Sequence, residues 1–364
     1  MNFRLQMRKG NIILIFPYLC SEMPTKNPSY RLYYILLFIL LAFIFMAELM
    51  FGSVSITFDR LFHALLHPQA KDFAATILWS LRLPKAWTAL LAGAALSVCG
   101  LQMQTLFRNP LADPYVLGIS SGAGLGVAFF VLAFSTGAWA IRLPWVLNIG
   151  MAGAAWMGAL AVSFLVMAAA KRLRSTMSLL ILGIMIGSAG SALISLFQYF
   201  STASELKMFV LWTMGSFSHV TGIALVIMTV LVVCGLAISV YNIKALNVLL
   251  MGETYAKSLG VNMNAVQNRI FISTALLAGS VTAFCGPIGF IGIAVPHLAR
   301  MLFNNANHKQ LIPASVLLGA CLMLLADLIA QLPGSRQVLP INTVTALLGI
   351  PVIVLIILKY RAHE

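Results

Sequence analysis

The sequence predicts an all-α membrane protein: a polytopic bundle of about ten transmembrane helices, with an inverted internal repeat and both termini cytoplasmic. Three observations predict it. Hydrophobic residues fill 61% of the 364 positions and charged residues only 9%, whereas a soluble chain keeps roughly a quarter of its residues charged. Apolar runs long enough to cross a bilayer recur along the chain. The stretch 88–100, TALLAGAALSVCG, returns at 274–286 as TALLAGSVTAFCG, with eight of thirteen positions identical. Length alone would suggest two or three soluble domains, but this composition cannot cover a water-facing surface, so one integral-membrane domain is expected.

Residues 1–30 are a leader and residues 31–364 the transmembrane domain. In the leader, NIILIFPYLC follows Arg4, Arg8 and Lys9 like the start of a signal peptide. The run is short, contains Pro17 and passes into SEMPTKNPSYR with no A-x-A cleavage pattern. It reads as a disordered cytoplasmic leader, or as a segment preceding a true start at Met23.

A membrane helix needs about 20 apolar residues. Seven runs are clear candidates, at 32–51, 87–107, 146–170, 179–200, 220–241, 270–285 and 312–329. Three more, at 118–134, 290–303 and 344–358, are short or interrupted, which makes ten. With the N-terminus inside and one crossing per run, sixteen Lys and Arg residues fall on the cytoplasmic side and seven outside. That is the positive-inside asymmetry. The net charge of +14 therefore reports topology, not a nucleic-acid surface, which would gather its basic residues on one soluble face.

In this topology the first repeat copy starts after the outer RLPK and runs inward, while the second starts after Arg269 and runs outward. Antiparallel copies of one unit are a construction that transporters use. The small residues within both copies also let helices approach closely in lipid.

Several chemistries find no support. The five cysteines show neither CxxC nor other ligand spacing, and four lie in apolar runs, so no disulfide and no metal site is expected. There is no H-E-x-x-H, and the six histidines form no cluster. GISSG at 118–122 matches G-x-S-x-G, a motif with meaning on a strand-to-helix turn of a soluble hydrolase. Here it opens an apolar span, where Ser120 and its glycines suit packing. Of nine acids only Glu48 and Asp327 belong to spans, each near the outer end. A carrier driven by protons or sodium keeps ionisable groups in mid-membrane, so a proton-coupled multispan carrier is the alternative reading and not the first.

The longest inner polar insertion, at about 244–268, contains LNVLLMGETYAKSLG. Helix formers carry apolar residues at Leu249, Leu250, Ala256 and Leu259, and Gly260 is placed to end the helix. Such a segment suits either docking into a groove on a cytoplasmic partner or lying flat at the interface. Pro110 and Pro114 of RNPLADP end a helix and make a turn. GPIGFIGIAVPHLARM, with Pro287, Gly289, Gly292 and Pro296, cannot be one straight helix.

RLPKAWTALLAGAALSVCGLQMQTLFRNPLADPYVLGISSGAGLG, GETYAKSLGVN, GPIGFIGIAVPHLARM and LLADLIAQ…LPINTVTALLGIPVIVLIILK resemble, in that order, the signature of the FecCD-type permeases. These are membrane subunits of ABC importers for iron–siderophores, haem and vitamin B12. The resemblance covers nearly everything from Arg82 to Lys359. It implies ten spans per subunit, a homodimer with its path on the dimer axis, two ATPase subunits below and a substrate-binding protein above. It implies no cofactor in this chain, ATP being bound by the partner ATPase, and no catalytic site. The cargo expected is an iron–siderophore, with haem or cobalamin as alternatives.

Position by position, the resemblance makes Gly252, Glu253, Ala256, Leu259 and Gly260 the ATPase-coupling element. It makes Arg82 and Lys85 the basic pair that meets acids on the binding protein. A third basic position of that set is Gln331 here, with Arg336 near enough in sequence to replace it. Asn109 and Leu111 match a gate near the cytoplasm. The second gate pair falls at Thr176 and Met177, where Met177 implies a more apolar closure.

Overall fold

The computed structural model describes residues 30–52, 57–66, 72–133, 144–170, 172–173, 176–331 and 338–361. The leader lies outside the described residues except for Tyr30, which opens the first helix, and Arg336 lies outside them as well. The chain enters the membrane with α1 (Tyr30–Met50), followed by two short outer helices, α2 (Phe58–Leu66) and α3 (Phe73–Ile77). A wide π turn at Leu78–Arg82 joins α3 to α4 (Leu83–Phe107). Then come α5 (Ile119–Ala128), α6 (Pro144–Ala170), α7 (Thr176–Phe200), α8 (Ala203–Thr213) and α9 (Gly222–Tyr241). Two short helices, α10 (Ile243–Leu249) and α11 (Glu253–Ser258), lead to α12 (Met263–Cys285), α13 (Ile291–Phe303), α14 (His308–Ala330) and α15 (Ile341–Arg361).

Among the described residues seven helices are long and apolar enough to span a membrane, and three shorter apolar helices lie at Ile119–Leu132, Ile291–Phe303 and Ile341–Leu355. They correspond one for one to the seven clear and three interrupted runs of the sequence. The broken segment is broken where glycine and proline crowd, at 286–290, and the helix then continues through Pro296. Gly286 leaves α12 at φ +80°, and Phe290 turns the chain into α13 at φ +71°. The freed backbone is satisfied from neighbours: the Gly289 N–H donates to Asn342 Oδ1 (3.1 Å) and the Ile288 N–H to the Tyr115 hydroxyl (3.2 Å). Non-helical backbone survives at membrane depth only where protein supplies such partners.

The most enclosed span is Phe73–Phe107, of which 89% of the apolar window is buried, against 22% for Tyr30–Met50. α4 is therefore the central pole, and its small residues explain how neighbours close on it. A Cβ added at Gly93 would stand 2.1 Å from the Gly319 carbonyl oxygen of α14, and one at Gly100 only 1.8 Å from the Gly292 oxygen of α13. Backbone lies directly on backbone. Ser97 adds a bond across the same seam, donating to the Ser315 carbonyl at 2.8 Å. A second seam joins α5 to α6, where Gly122 and Gly158 face each other's carbonyls. The GISSG glycines thus serve packing.

The two repeat copies run antiparallel. α4 ends with Arg108 beside Gly252, at the end where α12 begins. Both copies open with the same local bond, Thr88 donating to the Pro84 carbonyl (2.7 Å) and Thr274 to the Ile270 carbonyl (2.8 Å). Their glycines do different work. A Cβ at Gly279 would make an ordinary contact with Ala159, whereas Gly286 ends its helix where an added Cβ would stand 2.4 Å from the Trp212 carbonyl oxygen.

Gly100→Ala should destabilise the fold by about 1–3 kcal/mol or more, since helix backbone must move apart. Gly153→Ala, with nothing within 4 Å of the added carbon, should be neutral or stabilising. Thermal unfolding of the purified variants in detergent checks the contrast.

Candidate functional site

α4 connects two polar clusters, one at each end. At the outer end, Lys85 sits one turn into the helix with its ammonium 3.0 Å from Asp327 Oδ2 of α14 and 3.9 Å from Glu48 Oε1 of α1. Both carboxylates are buried, at 2% and 3% exposure, so two acids share one lysine away from water. Gln331 Nε2 also donates to Glu48 Oε1. Arg82 closes the end of α1, donating to the carbonyls of Leu49 (2.5 Å) and Met50 (2.9 Å). A guanidinium there satisfies terminal carbonyls and meets the negative end of the helix dipole. The cluster fastens α1, α4 and α14 together, and it brings Arg82, Lys85 and Gln331 into one place.

At the inner end, Asn109 follows the left-handed Arg108 and folds the chain back, its Oδ1 accepting the Leu111 N–H at 2.9 Å. Leu111 is exposed. Asp113 then opens a short turn by accepting the Tyr115 N–H at 2.9 Å. Burial pushes the Asp113 carboxyl up to about 6, opposed by that hydrogen bond. The start of α7 packs on this loop, since a Cβ at Gly183 would stand 2.4 Å from the Val116 carbonyl oxygen. Thr176 is the first residue of α7 and Met177, the next, is exposed. The two gate segments expected from the sequence thus lie on elements that pack together.

The 244–268 insertion folds as α10, a turn and α11. Gly252 stands at φ +110° and Gly260 at φ +79°, conformations that a side chain would strain. Between them Ala256 is fully buried and anchors α11, while Glu253 and Lys257 pair on the surface at 2.8 Å. Met251, Tyr255 and Leu259, spaced four apart, remain 56%, 47% and 57% exposed. That is an apolar row left open by the described residues.

One feature of α7 was legible in the sequence but unread. Ser188, Ser191 and Ser195 are exposed at a spacing of three and four, hence on one face. Each hydroxyl donates to its own helix four residues back, at 3.0 Å. Helical spacing within the apolar run was the signal.

Residues 39–359 match the model of the FecCD transport family. The chain belongs to the FecCD transport family. Within it, the chain is 38% identical to a vitamin B12 import system permease protein of Citrobacter koseri, over 78% of this chain and 83% of the relative. It is 39% identical to the corresponding permease of Klebsiella pneumoniae, over 79% and 83%. A solved structure, described as an inward-facing conformation of a metal-chelate type ABC transporter, matches with a TM-score of 0.79 and 31% identity. That match covers 91% of this chain and all of the other. The family is one of multi-pass membrane permeases, in accord with the spans described above.

Lys85→Ala should leave two buried carboxylates without their cation and cost about 3–5 kcal/mol, whereas Lys85→Arg should cost much less. Detergent melting curves read the difference.

Proposed function

We propose that this chain is the transmembrane subunit of a binding-protein-dependent ABC importer of the cytoplasmic membrane. It passes a bulky metal chelate inward with ATP hydrolysed on partner subunits. The observation that carries the reading is the exposed apolar row of Met251, Tyr255 and Leu259 in and beside α11, next to two glycines in conformations other residues avoid. A short helical segment that presents exposed apolar residues fits a groove on a soluble partner. In this reading Glu253 is its polar contact, and the chain itself holds neither a nucleotide nor a catalytic site.

The remaining parts follow from the same assignment. Two ATPase subunits bind the inner ends of a homodimer, and a substrate-binding protein sits on the outer end. The serine face of α7 suits a path shared with the second copy better than it suits lipid, with Asn109, Leu111, Thr176 and Met177 closing the path below. The vitamin B12 permeases among the relatives favour a corrinoid cargo; an iron–siderophore or haem would use the same machinery. At the outer end Arg82 and Lys85 are the docking cations, although Glu48 and Asp327 already hold Lys85. Arg82 is engaged as well, by the Leu49 and Met50 carbonyls, so a docking acid competes with groups of this chain at both cations.

Vesicles reconstituted with the permease, its ATPase and the binding protein should take up labelled cyanocobalamin or a ferric siderophore only with ATP. Uptake that follows a proton gradient without ATP or the ATPase would overturn the assignment. Glu253→Arg should insert normally and lower uptake roughly tenfold or more, since a reversed charge opposes docking. Wild-type uptake with undisturbed ATPase copurification would refute that role. Arg82→Gln should weaken binding-protein affinity most at low salt, about tenfold, with the loss shrinking as salt rises. Equal affinities at every ionic strength would remove Arg82 from the docking surface.

A further inference from the structure

The inner end of α4 is tied to the coupling segment by a short chain of hydrogen bonds. His308, at the start of α14, stands between Thr105 of α4 and Asn247 of α10. Asn247 Oδ1 accepts both the His308 backbone N–H and its ring Nδ1, each at 2.8 Å. Asn247 Nδ2 donates to Asn307 Oδ1 at 2.9 Å. A backbone N–H only donates, so the amide must present its oxygen to His308, and Nδ1 must carry the ring proton. In the neutral ring Nε2 is then an acceptor, and it lies 2.8 Å from Thr105 Oγ1.

Thr105 therefore has one hydroxyl proton and two acceptors in reach. One is His308 Nε2; the other is the Leu101 carbonyl of its own helix, at 2.9 Å. Thr105 and His308 are buried, at 5% and 1% exposure, so solvent does not replace a lost partner. Asn109 lies four residues further on, one helical turn away. A second contact supports the same junction, since Arg108 lies over Gly252 with a guanidinium nitrogen 3.5 Å from where a Cβ would be. On the other side of α4, Gln104 is fastened to α13, accepting from Arg300 (2.6 Å) and donating to the carbonyls of Gly292 and Ile293 (3.3 Å each).

We propose that Asn247, His308 and Thr105 are positioning residues that pass movement of the ATPase-docking element to the gate loop at Asn109 and Leu111. The Thr105 hydroxyl is the latch. Turned to Nε2 it ties the last turn of α4 to α10; turned to the Leu101 carbonyl it lets the two separate. Each position satisfies the hydroxyl; turning to Leu101 leaves the buried Nε2 without a donor, a cost that makes the tied arrangement the resting one. Two discrete arrangements of one packed junction are what coupling between distant sites needs. This inference rests on the docking role proposed for α11.

The test uses the permease assembled with its ATPase and binding protein in vesicles, with labelled cyanocobalamin, or a ferric hydroxamate if wild-type vesicles take up that instead. It reads molecules transported per ATP hydrolysed. Thr105→Val keeps shape and removes the hydroxyl; it should lower that ratio about tenfold while basal hydrolysis and ATPase copurification persist. Thr105→Ser, which keeps the hydroxyl, should restore the ratio to within about twofold. Asn247→Leu should match the valine variant, and the double variant should lose no more than either alone. A valine ratio equal to wild type overturns the proposal, as does a serine ratio as low as valine's or losses that multiply in the double variant. If the valine variant fails to insert, Asn247→Leu and Thr105→Ser make the same decision. A Glu253→Arg variant run alongside separates the two ideas. If it leaves uptake and copurification untouched, the docking role falls and takes this proposal with it; failure at Thr105 and Asn247 alone overturns only the latch.

Discussion

The structure depends on how closely other backbones can approach α4. In lipid the hydrophobic effect does not draw helices together, so they are held by van der Waals contact and by the few polar bonds that can form. Gly93 against Gly319 and Gly100 against Gly292 bring backbone onto backbone. That places α13 and α14 against the pole with no side chain between. Polar groups exist at this depth only because the same closeness gives them partners. Ser97 reaches the Ser315 carbonyl, and Gln102 reaches Ser239 (2.6 Å) and Ser273 (3.2 Å).

A pole packed this tightly cannot bend freely, and its two ends are clamped by different chemistry. Outside, the clamp is ionic: Lys85 joins acids from two other helices while Arg82 closes α1. Inside, it is a set of neutral hydrogen bonds around His308 together with the left-handed turn at Arg108. Ionic clamping at a buried site resists separation strongly once formed. A neutral hydrogen bond whose donor has a second acceptor in reach separates at a smaller cost, about 1–3 kcal/mol for the one acceptor left bare. The fixed end and the exchangeable end are thus set by residue type.

Much of this was legible in the sequence, and what was not has a physical reason. Hydropathy and Lys/Arg placement are one-dimensional signals, so the ten apolar helices and the antiparallel repeat followed from them directly. Glycine and proline marked the break before α13, although Pro296 did not end its helix: the Gly292 carbonyl that it leaves without an N–H accepts from Gln104 Nε2 instead. The pairing of Lys85 with Glu48 and Asp327 joins three segments far apart in the chain, which no local pattern encodes. The two repeat copies show the same limit. Their identical TALLAG gives the same threonine bond in each, because that bond is local. Their glycines differ in use, because a glycine's role depends on which helix lies opposite.

The buried acids also bear on the energy source. Glu48 and Asp327 are the acids that the spans contain, and an ion-driven carrier would need such groups free to bind and release its coupling ion along a path. Here Lys85 is bound to both and Gln331 to Glu48, at the outer end of the helices. Drawing Asp327 off Lys85 would strip a buried lysine of its nearer counter-charge and loosen α14 from the pole, while Gln331 holds Glu48. These acids are committed to holding the fold. That commitment supports a transporter whose energy arrives through a surface such as the one α11 presents, rather than through ions crossing beside its cargo.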